Sequence, residues 1–351
     1  MRRFALLLGP LLWANLGAAT TPCAQAIAQG VVCDAANEHI TDVMRGRKLT
    51  AVTVVQNVST GAFVAIAASH PEKLDVTTHV LPLSLSKILL AASWWDNKQP
   101  DRVDVHEMLV GGSDSAGRKL AIALRKAIGT DKAIADFASY GFGRAEERFW
   151  GDLEAEWRQR LTPPPALIEL GGETNDRDWA DVLSIGEMKF QVTALHISKL
   201  MQAIGNGGVS VPPSALKRST RRDVKATRIM QETTAMRLQS AMRDAVQRGT
   251  ARTVATALAD TGWRLGGKTG SGGGPVPNPN DPLSHGWFAG LIFDPHGKAR
   301  YTVATFVQHG GRGAGHAASI SAELARFIIG KSPVPARHAM KVEPIVALRQ
   351  E

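Results

Sequence analysis

The 351-residue sequence predicts an α+β fold built on one antiparallel sheet. Three observations carry that expectation: a hairpin pattern near the start, a long helical middle, and strand patterning that returns after it. Strands at both ends of the chain around helices suggest that the first hairpin joins the late strands, with the helices forming an inserted subdomain. The site is then expected in the cleft between the sheet and the helical region.

The elements follow in order. Cys33 to Arg47 has helical composition. Ala51 to Asn57 is rich in Val and Thr, Ser59-Thr60-Gly61 is a tight turn, and Ala62 to Ala68 is a second strand, so the three form a hairpin. Pro82-Leu83 precedes Ser84, and the apolar run to Trp95 has helical length, which puts Ser84 at a helix N-terminus. Helices are predicted near Val105–Val110, Ala116–Ile128, Lys132–Tyr140, Val192–Ile204 and Thr233–Arg248. Gly205-Asn206-Gly207-Gly208 supplies C-cap chemistry. Strands return at Gly262–Thr269, Gly286–Phe293 and Arg300–Gln308, with a turn at Asp294-Pro295-His296-Gly297 and a terminal helix from about Ala317 to Ile329.

A formal charge of +9 raises the question of nucleic acid, but no Lys/Arg run is interleaved with aromatics. An anionic envelope polymer suits the positive balance better. The ten histidines and two cysteines show no metal-ligand spacing, so no metal is expected. Arg2-Arg3 followed by the apolar Phe4–Leu16 resembles a secretory leader, and Ala24-Gln25-Ala26 fits a cleavage site. This divides the chain into a signal over 1–26, a domain over 27–331 with its helical subdomain at about 85–250, and a loosely ordered tail over 332–351. The expected location is periplasmic or exported, with an uncleaved anchor as the other reading. Cleavage after Ala26 leaves Cys33 alone; cleavage near Ala19 keeps Cys23 and Cys33 and permits a disulfide.

Three short motifs point to chemistry. Ser84-Leu85-Ser86-Lys87 is an S-x-x-K, and on a helix it places the Lys87 amine within reach of the Ser84 hydroxyl. A serine hydroxyl needs a nearby base to act as a nucleophile, and a lysine serves when burial and positive neighbours depress its pKa. Ser113-Asp114-Ser115 is close to S-x-N. Ser113 has two roles open to it, helix N-cap or proton relay between Lys87 and a leaving amine. Ser115 stands where a side-chain amide would hold a substrate backbone, and its hydroxyl is a shorter, poorer substitute. In Lys268-Thr269-Gly270 the ammonium and hydroxyl suit a substrate carboxylate, and the glycine admits a close backbone. The Ser271 and Ser84 amides could together form an oxyanion hole.

The ordered trio is the signature of penicillin-binding transpeptidases and serine β-lactamases. The chain resembles the transpeptidase domain of penicillin-binding proteins from about Ala51 to Ile329. Further landmarks are similar: Val55–Ala68, Val105–Ala121, Tyr140-Gly141-Phe142-Gly143, Leu183–Gly208, Val246–Ala251 and His285–Leu291. The resemblance implies a five-stranded antiparallel sheet between helices, with an α-helical subdomain. It implies acyl transfer from a D-Ala-D-Ala stem peptide of peptidoglycan to Ser84, and then to an amine or water. It also implies acylation of Ser84 by β-lactams, no required cofactor, and cell-wall synthesis proteins as partners. Four departures stand out: Ser115 for Asn, Ser271 where Thr is common, a separation of 29 positions between Ser84 and Ser113, and no long N-terminal non-catalytic module. Three readings stay open: D,D-transpeptidase or D,D-carboxypeptidase, serine β-lactamase, and a sensor that binds peptidoglycan or penicillin without turnover. No E-x-x-L-N of the kind a class A β-lactamase uses is present near Trp150.

Overall fold

The computed structural model describes residues 22–100, 103–143, 155–169, 175–186, 189–215, 225–274 and 283–330. Most of the leader, the glutamates near Trp150 as far as Glu154, the basic stretch from Lys217 to Arg222 and the tail lie outside them.

Five strands form one antiparallel sheet in the order β2-β1-β9-β8-β7. They are β1 (Thr50–Gln56), β2 (Phe63–Ala68), β7 (Arg264–Gly272), β8 (His285–Phe293) and β9 (Ala299–Gln308). The hairpin β1-β2 joins the late strands through β1, with Thr53 opposite Thr305 and Val54 opposite Ala304. Among the described residues there are also two short ribbons: β3 (Leu167–Ile168) with β4 (Phe190–Gln191), and β5 (Val209–Ser210) with β6 (Thr227–Arg228).

Strand parity shows why the sheet is covered on both faces. Successive side chains point to opposite sides. Val52 and Val54 of β1, Trp287, Ala289 and Leu291 of β8, and Ala304 and Phe306 of β9 share one core. Ala51 and Val55, Phe288 and Ile292, and Val303 and Val307 belong to the other. The second core is closed by helices α1 (Ala24–Gln29), α2 (Asp34–Gly46) and α11 (His316–Ile328). The first lies under the helical middle: α3 (Ser86–Asp96), α4 (Val103–Gly111), α5 (Asp114–Ile128), α6 (Thr130–Ser139), α7 (Ala155–Leu161), α8 (Asp176–Ile185), α9 (Ala194–Gly205) and α10 (Glu232–Gln247).

Helix α3 is the axis of that middle. Every residue from Ser86 to Trp95 is buried, so it has no polar face of the kind a surface helix shows. Alpha-helix α9 crosses the sheet and is locked to it by polar contacts. Ser198 Oγ donates to Gln56 Oε1 at 2.7 Å, and the Gln56 amide N–H donates to Thr302 Oγ1 at 3.0 Å. Thr193 and His196 form a capping box at the α9 N-terminus, which sets the start of this helix two residues later than the sequence pattern suggests.

Helices α1, α7 and α8 are additions to the sequence-based expectation. Helix α1 falls where the leader and its cleavage site were expected, and Cys23 is joined to Cys33 by a disulfide. Among the described residues no helix is long and apolar enough to cross a membrane.

Candidate active site

The Ser84 turn is assembled from three directions. Leu83, Ser84 and Leu85 form a single 3-10 turn that runs directly into α3. Leu83 has φ +53, a region that costs a non-glycine residue about 1–2 kcal/mol. Its conformation is over-determined by its neighbours. The Leu83 N–H donates to Gly186 O at 3.0 Å, and Leu83 O accepts from Ser86 Oγ at 3.0 Å. Gly186 has φ +69, and a β-carbon there would lie 2.1 Å from Leu83 O, so only glycine fits. On the other side, a β-carbon at Gly270 would meet Leu83 Cβ and Pro82 O at 3.3 Å. The missing side chain of Gly270 thus lets the Ser84 turn lie against β7.

Lys87 follows one helical turn later. Its side chain is 0% exposed, and Nζ donates to Ser84 Oγ at 2.8 Å and to Asp114 Oδ1 at 2.6 Å. Burial pulls the Lys87 pKa below the ordinary lysine value; the Asp114 charge and hydrogen bond oppose this, and the Arg118 charge adds to it.

The second motif is arranged differently from its sequence-based expectation. Ser113 is the N-cap of α5, and its hydroxyl accepts from the Ala116 N–H at 3.2 Å. Of its two open roles, capping is the one its geometry serves here. The side chain that reaches Lys87 is Asp114, one position later, where the sequence showed only an ordinary first-turn acid. Ser115 is exposed on the first turn of α5.

Lys268, Thr269 and Gly270 lie on β7, which among the described residues pairs only with β8 and forms one edge of the sheet. Lys268 is 2% exposed among Ile88, Leu109, Leu238 and Met242, and its ammonium donates to Thr269 O at 2.7 Å. Burial, and secondarily the Lys87 charge, brings its pKa down to about 7, with Asp114 opposing. Thr269 Oγ1 donates to Thr250 Oγ1 at 2.9 Å, and the Thr250 N–H donates to Val110 O at 3.1 Å. Thr250 therefore ties β7 to the end of α4, just before the second motif. It lies in the Val246–Ala251 segment, a signal that was present in the sequence but not assigned to the site. Ser271 Oγ accepts from the Gly313 N–H at 2.9 Å, which anchors a glycine-rich loop over the end of β7.

The fold thus brings Ser84 and Lys87, from the turn before α3 and from α3 itself, together with Asp114 of α5 and Lys268 of β7, which are far from them in sequence. Among the described residues no group of three or more His, Cys, Asp or Glu side chains is placed to hold a metal.

The penicillin-binding protein transpeptidase domain family matches residues 120–330. The chain belongs to this family. The matched span contains Lys268-Thr269-Gly270 and starts after Ser84, Lys87 and Ser113. No curated protein sequence matches the chain. Solved structures extend the likeness in fold. Penicillin-binding protein 3 of Mycobacterium tuberculosis, complexed with aztreonam, superposes with a TM-score of 0.65 at 19% identity, over 87% of this chain and 79% of that one. The transpeptidase domain of Burkholderia pseudomallei penicillin-binding protein 3 gives 0.66 at 16% identity, over 86% and 94%. The D,D-transpeptidase domain of a peptidoglycan glycosyltransferase from Eggerthella lenta gives 0.62 at 19% identity, over 85% and 82%. The expected five-stranded α+β architecture with inserted helices is the one observed.

Proposed function

We propose that this family member is a D,D-transpeptidase or D,D-carboxypeptidase that acts through an acyl-Ser84 intermediate on peptidoglycan stem peptides ending in D-Ala-D-Ala, and that β-lactams acylate the same serine. The observation that carries the reading is the 2.8 Å contact between Ser84 Oγ and the buried Lys87 amine.

The chemistry follows from that pair. Neutral Lys87 takes the Ser84 hydroxyl proton as Oγ attacks the carbonyl carbon of the penultimate D-alanine. The C–N bond of the tetrahedral intermediate then breaks, the proton passes to the leaving D-alanine amine, and an ester remains on Ser84. An amine of a second stem peptide, or water, takes the acyl group and returns the proton to the Ser84 oxygen. The backbone N–H groups of Ser84 and Ser271 are the proposed oxyanion donors. Among the described residues the outer edge of β7 has no strand partner, which suits an extended peptide that would align as an added strand with its carboxylate toward Lys268 and Thr269.

A second reading is a penicillin or peptidoglycan sensor with little turnover, favoured by the engagement of the Ser113 hydroxyl in its own helix cap. Export to an oxidising compartment is proposed with the first reading, supported by Arg2-Arg3, the apolar segment and the Cys23–Cys33 disulfide. Retention of Cys23 would then require cleavage upstream of it.

The deciding experiment is intact-mass spectrometry after incubation with benzylpenicillin. A stable adduct is expected in the native protein and none in Ser84→Ala. Release of D-alanine from a stem-peptide mimic separates an enzyme from a sensor, and rapid loss of the adduct with repeated hydrolysis would indicate a β-lactamase. Absence of any adduct would sink the acyl-enzyme reading.

A further inference from the structure

The base of this site carries a partner that the second motif does not advertise. Asp114 Oδ1 lies 2.6 Å from Lys87 Nζ, which is itself 2.8 Å from Ser84 Oγ. The Asp114 side chain is 51% exposed, whereas that of Lys87 is 0% exposed. The buried ammonium thus lies between the half-buried Ser84 and an exposed carboxylate. Arrangements of this kind favour the charged form of the amine.

We propose that Asp114 is a positioning residue that holds Lys87 as an ammonium in the resting site and thereby sets the pH at which Ser84 becomes nucleophilic. The inference rests on the reading of Lys87 as the base for Ser84.

The charge environment of Lys87 supports it. Asp114 and Arg118 face it from α5, and Lys268 acts on the same cluster from β7. Arg118 is paired with Asp181 of α8, with its Nε 2.5 Å from Oδ1. His106 of α4 and Asp244 of α10 are bonded to each other at 2.8 Å. Asp136 of α6 accepts from Ser93, Asn97 and Lys132. Asp114 is therefore the acidic group committed to Lys87. Burial pushes toward the neutral amine, and the Arg118 charge adds to it; the Asp114 carboxylate opposes them. Removing it must lower the Lys87 pKa, raise the fraction of neutral amine at a given pH, and move the onset of acylation to lower pH.

The test compares native protein, Asp114→Asn and Asp114→Glu. Lys87 is titrated directly by NMR in protein labelled at lysine Cε, with its signal assigned by loss in Lys87→Arg. The Asp114→Asn titration midpoint is expected about one pH unit or more below native, and that of Asp114→Glu near native. Acylation by fluorescent penicillin should follow: below the native midpoint, Asp114→Asn reacts roughly tenfold faster at equal pH, a one-unit displacement of the rising limb. A carboxylate that merely supports the α5 N-terminus would alter thermal stability and leave the Lys87 midpoint in place, and that result overturns the proposal. A shifted NMR midpoint with no penicillin adduct in any variant would uphold the charge-setting role and overturn the proposal that it governs Ser84. An adduct at Ser84 with identical pH limbs in native and Asp114→Asn protein would leave the proposed function standing and defeat this inference.

Discussion

Two turns of this molecule look alike in sequence and are used differently by the fold. Ser84 and Ser113 each stand just ahead of a helix. At Ser84 the preceding residue is forced to φ +53, and the hydroxyl is turned to the buried amine of Lys87. At Ser113 the hydroxyl closes its own helix, and the next residue, Asp114, is the one that reaches inward. A serine before a helix caps it by default, because the first amides of a helix lack partners. The fold must supply something extra to withdraw a serine from that task. Here it supplies the close packing of Gly186 and Gly270 around Leu83.

The largest effect that tests this contrast is expected from Gly186→Ala. Its β-carbon would fall 2.1 Å from Leu83 O in a backbone conformation that alanine avoids. About 3 kcal/mol of stability should be lost, with penicillin acylation reduced alongside, measured by thermal unfolding and adduct mass. Gly111→Ala is the control on the other turn: nothing lies within 4 Å of its would-be β-carbon, so stability should hold or rise slightly. Equal losses at both glycines would remove the packing argument.

An intermediate effect is expected at Lys268, whose ammonium lies 3.8 Å from the position a Gly112 β-carbon would take. With its pKa brought down to about 7, the free site loses this positive charge as pH rises through that value. A bound carboxylate favours the charged form, so binding takes up a proton above pH 7. Affinity of Ser84→Ala protein for benzylpenicillin should therefore weaken by up to about tenfold per pH unit above 7, read by calorimetry. A flat profile between pH 6 and 9 would contradict it. The smallest effect is expected from Ser113→Ala: about 1 kcal/mol of stability from the lost cap, with the penicillin adduct retained. Loss of the adduct in this variant would return Ser113 to the role of proton relay.

The sheet was legible in the sequence because its signals are local. The Ser59-Thr60-Gly61 turn, the continuous apolar run of β8 and the Asp294–Gly297 turn fix strands without reference to the rest of the chain. Ser84, Lys87 and the Lys268-Thr269-Gly270 strand could be found for a related reason, since the chemistry demands particular residue types at fixed spacing. Other parts depend on packing between distant segments. Leucine is a poor indicator of positive φ, so the strained turn at Leu83 has no mark of its own. Helix α8 carried usable signals, an Asn175 cap with Asp176 and Asp178 in the first turn, yet its importance lies in delivering Gly186 to Leu83. Asp114 resembles any acid at a helix start until α5 is laid beside α3.

The link between Cys23 and Cys33 has a separate consequence. It spans ten positions and joins the short α1 to the start of α2, both on the sheet face away from the Ser84 turn. Closing so small a ring contributes only about 2–3 kcal/mol in the chain-entropy account. The five strands are held by their own ladders, so reduction should loosen a clasp at the N-terminal end and leave the Ser84–Lys87 pair standing. Sensitivity to thiols and the proposed reactivity toward penicillin would then be separable properties, housed on opposite sides of one sheet.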